Sequence, residues 1–136
     1  MKHEILIYNK TRKKVPKKFI KAVVLDALDF LKLKRPVELA VLVVDKNEIK
    51  RLNKIWRKKN ETPDELSFGL NSRQMAGFAS GINNVLNLGE IVINAEKISD
   101  KNYLSKILVH CLLHLLGYSH RQMEGLENKI LKSLEI

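Results

Sequence analysis

Three of the four histidines in this 136-residue chain fall within eleven positions, in the stretch HCLLHLLGYSH at residues 110–120. His110 and His114 are four apart, so on a helix they share one face, with Cβ atoms about 5–6 Å from each other. Two imidazoles placed in this way can hold one metal ion. Gly117 follows His114 by three residues, stops the helix and lets the chain turn back, and His120 arrives from that turn as a third nitrogen donor. Three nitrogen ligands leave a fourth coordination position open, which is how catalytic zinc sites differ from closed structural ones. A lone histidine on an apolar helix is ordinarily a packed residue. His-x3-His-x2-Gly-x2-His with a helix break at the glycine is a specific signal for a metal.

The same spacing occurs in the metzincin proteases, HExxHxxGxxH, where the glutamate after the first histidine is the general base that activates water. Here that position holds Cys111. A thiol cannot take over the proton-accepting role without a strongly lowered pKa, so the pattern argues for a metal and against peptide hydrolysis. Cys111 is expected to be a small packing residue. As the single cysteine it also excludes an internal disulfide and agrees with a reducing compartment. The opening MKHEILIYNKTRKK lacks the apolar core of a signal peptide, and no run of about 18 apolar residues exists, so a cytoplasmic protein with no membrane span is expected.

The elements that must position these histidines follow from hydrophobic periodicity. EILIY (4–8) reads as a first strand, and Pro16 suits the first turn of a helix. Phe19, Ile20, Val23, Val24, Ala27, Leu28 and Leu31 recur at helical spacing, and Pro36 ends that helix within KLKRP. VELAVLVV (37–44) is a β-branched strand. Asp45 followed by Glu48 matches a capping box opening a second helix, with Ile49, Leu52, Ile55 and Trp56 on its apolar side. A short strand at about 66–70 precedes an Asn-, Ser- and Gly-rich loop over 71–88, and GEIVIN (89–94) is the next strand. A helix from about 99 or 100 to Leu116 carries His110 and His114, and an amphipathic helix follows His120. The order β-α-β-α-β-β-α-α predicts a single domain of α+β (mixed α/β) class, a small mixed β-sheet packed by helices, with a zincin-like metal-binding helix. Met75 and Met123 read as packing residues, and His3, remote in sequence and on a strand, is not expected to be a ligand.

Charge indicates the partner. Lys and Arg number 25 against 15 Asp and Glu, a net charge of +10, and a surplus of that size suits a polyanion, most commonly nucleic acid. Two basic stretches, 10–21 and 46–59, can track an RNA backbone. Within the second, Lys50, Lys54 and Lys58 are candidate RNA contacts, and Arg73 in the long loop is a further phosphate contact.

HCLLHLLGYSH, together with Met123–Glu124, resembles the signature H-G-x-L-H-L-x-G-Y-D-H of the YbeY endoribonuclease family. LNKIWR (52–57) is similar to that family's L-N-x-x-[YW]-R, PDELSF (63–68) to its T-D-V-L-S-F, and LGEIVI (88–93) to its L-G-D-I-x-I. The matches run in order from about residue 40 to 130. The resemblance implies a metal-dependent RNA-cleaving enzyme acting in rRNA maturation, notably at the 3′ end of small-subunit rRNA, and in ribosome quality control. It implies that His110, His114 and His120 are the ligands of one zinc ion and that Arg57 is the catalytic arginine. A guanidinium binds two phosphate oxygens at once, as an ammonium cannot, which suits Arg57 to a phosphate clamp. The resemblance implies rRNA, and the ribosome or its small subunit, as partners. Ser67 and Phe68 are expected to shape the cleft wall rather than do chemistry.

The chain departs from the family pattern at Cys111 for glycine, Ser119 for aspartate, Pro63 for threonine and Glu65 for valine. Ser119 carries the largest expected consequence: a carboxylate there could orient the His120 ring, and its loss predicts weaker metal binding. Two other functions fit parts of the pattern, a non-catalytic zinc-containing ribosome- or RNA-binding factor and a metallohydrolase of another substrate. The open coordination position argues against the first, Cys111 and the net charge against the second.

Overall fold

The structure, a computed structural model, describes residues 2–69 and 84–134. The elements run β1 (Glu4–Asn9), α1 (Lys17–Leu31), β2 (Val37–Val44), α2 (Lys46–Arg57), β3 (Glu65–Gly69), β4 (Leu86–Asn94), a 3₁₀ turn (Ala95–Lys97), α3 (Lys101–Leu115) and α4 (His120–Leu134). They follow the order expected from periodicity. The four strands form one mixed sheet in the order β1-β2-β4-β3, with β1–β2 and β2–β4 parallel and β3–β4 antiparallel.

Alternation along the strands divides the core in two. Ile5, Val37, Leu39, Val41, Val43, Ile91 and Ile93 point to the face covered by α1, α3 and α4, where they join Ile20, Leu28, Leu104, Leu108, Leu112 and Ile130. Val44, Leu66 and Val92 point to the other face, which α2 covers through Ile49. α3 is apolar around most of its girth because it is sandwiched between the sheet and its helical neighbours; eight of its residues are buried. The Asp100 carboxylate starts it by accepting from the amides of Asn102 and Tyr103, a cap that contributes about 1 kcal/mol.

The structure revises several expected boundaries. α1 stops at Leu31, with Lys32 in the left-handed conformation, before Pro36 can act. Asp45 caps the Glu48 amide, but the Glu48 carboxylate pairs with Arg51 instead of returning to the Asp45 amide, so half of the capping box forms. On α2, Ile49 and Asn53 are buried while Ile55 and Trp56 stand in solvent. β4 begins at Leu86, three residues earlier than expected. A bulge at Leu88 allows this: the register steps from Glu38↔Asn87 to Leu39↔Gly89, and Gly89 takes the positive φ of 102° that a side chain would oppose. Residues 71–83 of the expected loop, with Arg73 and Met75, lie outside the described residues. Met123 is buried as expected, and His3 has a structural role, its Nδ1 accepting the Val37 amide at 2.8 Å. Among the described residues no helix is long and apolar enough to cross a membrane.

Candidate metal and phosphate site

α3 delivers His110 and His114 on its solvent-facing side, while their neighbours Val109, Cys111, Leu112 and Leu113 are buried. The helix then ends in a Schellman turn. The Gly117 amide bonds to the His114 carbonyl at 3.1 Å and the Tyr118 amide to the Leu113 carbonyl at 3.2 Å, with Gly117 at φ 90° in the position where glycine is favoured. The reversal brings His120, first residue of α4, beside His114: their ring centroids are 6.4 Å apart and tilted by 40°.

Ser119 sets the start of α4. Its hydroxyl accepts the Gln122 amide at 3.2 Å, and the Gln122 side chain accepts the Ser119 amide at 2.9 Å, a reciprocal capping box. Serine and aspartate cap helices almost equally well. The substitution at 119 therefore preserves what position 119 does here, which is to hold the helix that carries His120.

A carboxylate does reach His110, from Glu127, two turns further along α4. Its Oε1 lies 2.5 Å from Nδ1 of His110. When Nδ1–H donates to that carboxylate, the ring's lone pair sits on Nε2, and a carboxylate in this position is the usual orienting partner of a metal-bound imidazole. Among the described residues no three histidine, cysteine or carboxylate side chains converge closely enough to enclose an ion. The structure brings together His114 with His120, and His110 with Glu127. As chemistry, this donor set suits zinc: imidazole nitrogens, one of the rings backed by a carboxylate, at the rim of an apolar helix pair.

Cys111 faces the core, 2% exposed. Burial, reinforced by the nearby charges of Glu65 and Glu127, pushes its thiol well above the ordinary range. The position that holds the glutamate in metzincins therefore carries no base here. Beside His110, the Glu65 carboxyl on β3 is also raised, chiefly by burial and next by Asp64, with His110 opposing. The Tyr103 hydroxyl donates to the Asp64 carboxylate, and that hydrogen bond raises the phenol's pKa.

β3 links this centre to Arg57. The Asn94 amide bonds to the Asp64 carbonyl at 2.9 Å, so the even-numbered residues of β3 pair with β4 and the Ser67 carbonyl points to the free edge. Arg57, the last residue of α2, donates there from Nη2 at 2.6 Å, with its guanidinium carbon 5.3 Å from the Phe68 ring centroid. Lys58 in the left-handed conformation ends the helix at that point. Among the described residues one contact occupies only part of the guanidinium's five-donor fork, and a fork of this kind suits an anion. At the other end of β3, Gly69 passes close to α3, where an added Cβ would meet Leu115 at 3.1 Å. Lys50, Lys54 and Lys58 are all exposed on or beside α2, with Lys58 Nζ donating to the Ile55 carbonyl at 3.2 Å.

Spacing alone did not reveal Glu127. Its signal was available in α4: it lies four residues after Met123 and three before Ile130, both buried, so the apolar stripe that packs the helix carries a carboxylate with it.

The family model described as Endoribonuclease YbeY matches residues 6–135. A curated relative named Endoribonuclease YbeY from Syntrophomonas wolfei is 32% identical over 146 residues, covering 97% of this chain and 92% of the relative. One of the same name from Agrobacterium fabrum is 34% identical over 130 residues, covering 79% and 74%. The solution structure of a Thermotoga maritima protein superposes with a TM-score of 0.59 at 21% identity, covering 94% of this chain and 87% of the other, a likeness of fold. With the family model matched over nearly its whole length, and relatives of this identity and coverage, the chain belongs to the Endoribonuclease YbeY family.

Proposed function

We propose that this protein is a metal-dependent, single-strand-specific endoribonuclease that matures rRNA at the 3′ end of the small-subunit RNA and takes part in ribosome quality control in the cytoplasm. The observation that carries it is the joint placement of a histidine centre and an arginine around one strand. His114 and His120 lie side by side across the Gly117 turn, Glu127 orients His110, and the edge of β3 holds Arg57.

In this assignment His110, His114 and His120 hold one zinc ion, which when bound polarises a phosphoryl oxygen or lowers the pKa of a water molecule to about 7. Arg57 grips the scissile phosphate through the donors that Ser67 leaves free and offsets the charge that accumulates on phosphorus. The exposed lysines of α2 guide the backbone toward it. A buried, protonated Cys111 supplies no competing base or nucleophile.

The test is cleavage of a labelled single-stranded rRNA 3′ tail and its duplex by zinc-loaded protein, with His114→Ala and Arg57→Ala alongside. The expected result is cleavage of the single strand by wild type and its loss in both variants at unchanged circular dichroism. RNA binding without cleavage would favour the non-catalytic ribosome factor. Neither binding nor cleavage would favour a metallohydrolase of another substrate.

A further inference from the structure

Trp56 is the chain's single tryptophan and is 65% exposed, on the last turn of α2. A large ring left in water beside a row of lysines does no packing that would explain it. Among the described residues its aromatic neighbour is Phe68 on β3, met edge to face with centroids 6.4 Å apart and planes at 68°, and at this exposure the indole offers ring surface to solvent. Phe68 also carries the Arg57 guanidinium, and Arg57 is fixed by Ser67. Trp56 and Phe68 share a groove of about 600 Å³ with apolar Leu42, Leu52 and Val92, and its charged lining is mixed, Lys10 against Asp45, Glu48 and Glu90.

We propose that Trp56 is a nucleobase-stacking platform: an unpaired base of single-stranded RNA lies on the open indole face while an adjoining phosphate is held by Arg57. The inference rests on the nuclease reading above and names how that site selects its substrate. Charge divides the surface in the way such a ligand requires. Lys54, Arg57, Lys58 and Lys59 at the end of α2 attract the backbone. The groove itself is less basic: its charged lining is Lys10 with Asp45, Glu48 and Glu90, and Glu48 is already paired with Arg51, so it accommodates a neutral base. Every base has a π-face, so stacking of this kind is tolerant of sequence. A duplex keeps its bases stacked inward and cannot present one, which makes the platform a source of single-strand preference.

Because Trp56 is the only tryptophan, its fluorescence reads the contact directly in the full-length protein. The probes are a 2′-O-methyl single-stranded octamer, its duplex, and an octamer with abasic sites. Quenching is expected with the base-bearing single strand and not with the duplex or the abasic strand. Trp56→Ala should weaken single-strand binding about tenfold, the lower part of the range for one stacked base. Trp56→Phe should recover most of it. The dependence of affinity on salt should not change in either variant, because stacking releases no counterions. Equal quenching by the abasic strand, or Trp56→Ala binding within about twofold of wild type, overturns the platform while leaving the nuclease reading intact. If wild type binds none of the three, both fall together.

Discussion

Glu127 provides the sharpest perturbation of the histidine centre, because its substitution alters the site without replacing a proposed ligand. Its carboxylate meets His110 Nδ1 at 2.5 Å. Hydrogen bonds involving a charged partner contribute about 1.5–3 kcal/mol. The His110 side chain is 47% exposed and that of Glu127 26%, so solvent screening places the effect at the low end, about 1.5 kcal/mol. That corresponds to about tenfold in a dissociation constant, within the range found when orienting partners of metal ligands are removed. Glu127→Ala is therefore expected to raise the zinc Kd about tenfold, read by competition with a chromophoric chelator, while Glu127→Gln keeps an acceptor and loses less. Glu124→Gln, on the exposed side of α4, is the control and should leave the Kd unchanged. Zinc binding by Glu127→Ala within about twofold of wild type would refute the orienting role.

The remaining predictions concern neighbouring parts of the same design. Ser119→Ala should lower Tm by about 4 °C, the equivalent of a lost cap of about 1 kcal/mol, whereas Ser119→Asp should match wild type; equal losses in a thermal melt would show that position 119 does not act as a cap. Replacing Lys50, Lys54 and Lys58 together by Glu should reduce the slope of log K for single-stranded RNA against log salt by about two, and an unchanged slope across a salt series would remove these residues from the interface. Cys111, 2% exposed, should resist iodoacetamide in the folded protein and react once the chain is unfolded in guanidinium; rapid labelling of native protein, read by mass, would contradict its burial.

Much of this was legible in residue patterns, for reasons that particular elements make plain. The strand at Val37–Val44 buries alternate residues as its β-branched run indicates, and the helix at Lys101–Leu115 is a long apolar run that Asp100 caps and the Gly117 turn ends. Gly117 announced the turn that carries His120 because the left-handed position it fills admits few other residues. The misses are cases in which tertiary packing overrode a local signal. Ile55 and Trp56 continue the apolar stripe of α2, yet only Ile49 and Asn53 are buried from that helix, leaving the indole free for another purpose. The start of β4 lay hidden in the polar NNVLNL because its pairing with β2 depends on a bulge that periodicity does not encode. Glu127 lies 17 residues from His110, and only the packing of α4 on α3 joins them. The family's aspartate position, 119, is next to a histidine in sequence, whereas the carboxylate that meets His110 here comes from across the helix pair.

The central claim is that one metal ion, held by the histidines, makes this protein cut RNA. Its most direct test is the rate of cleavage of a single-stranded small-subunit rRNA 3′ tail as chelator-stripped protein is titrated with zinc. The account predicts no cleavage before zinc is added, a rise that levels off at one equivalent per chain, and a flat response across the same titration for His114→Ala. Cleavage by the stripped protein, or an unaltered titration curve in His114→Ala, would contradict it.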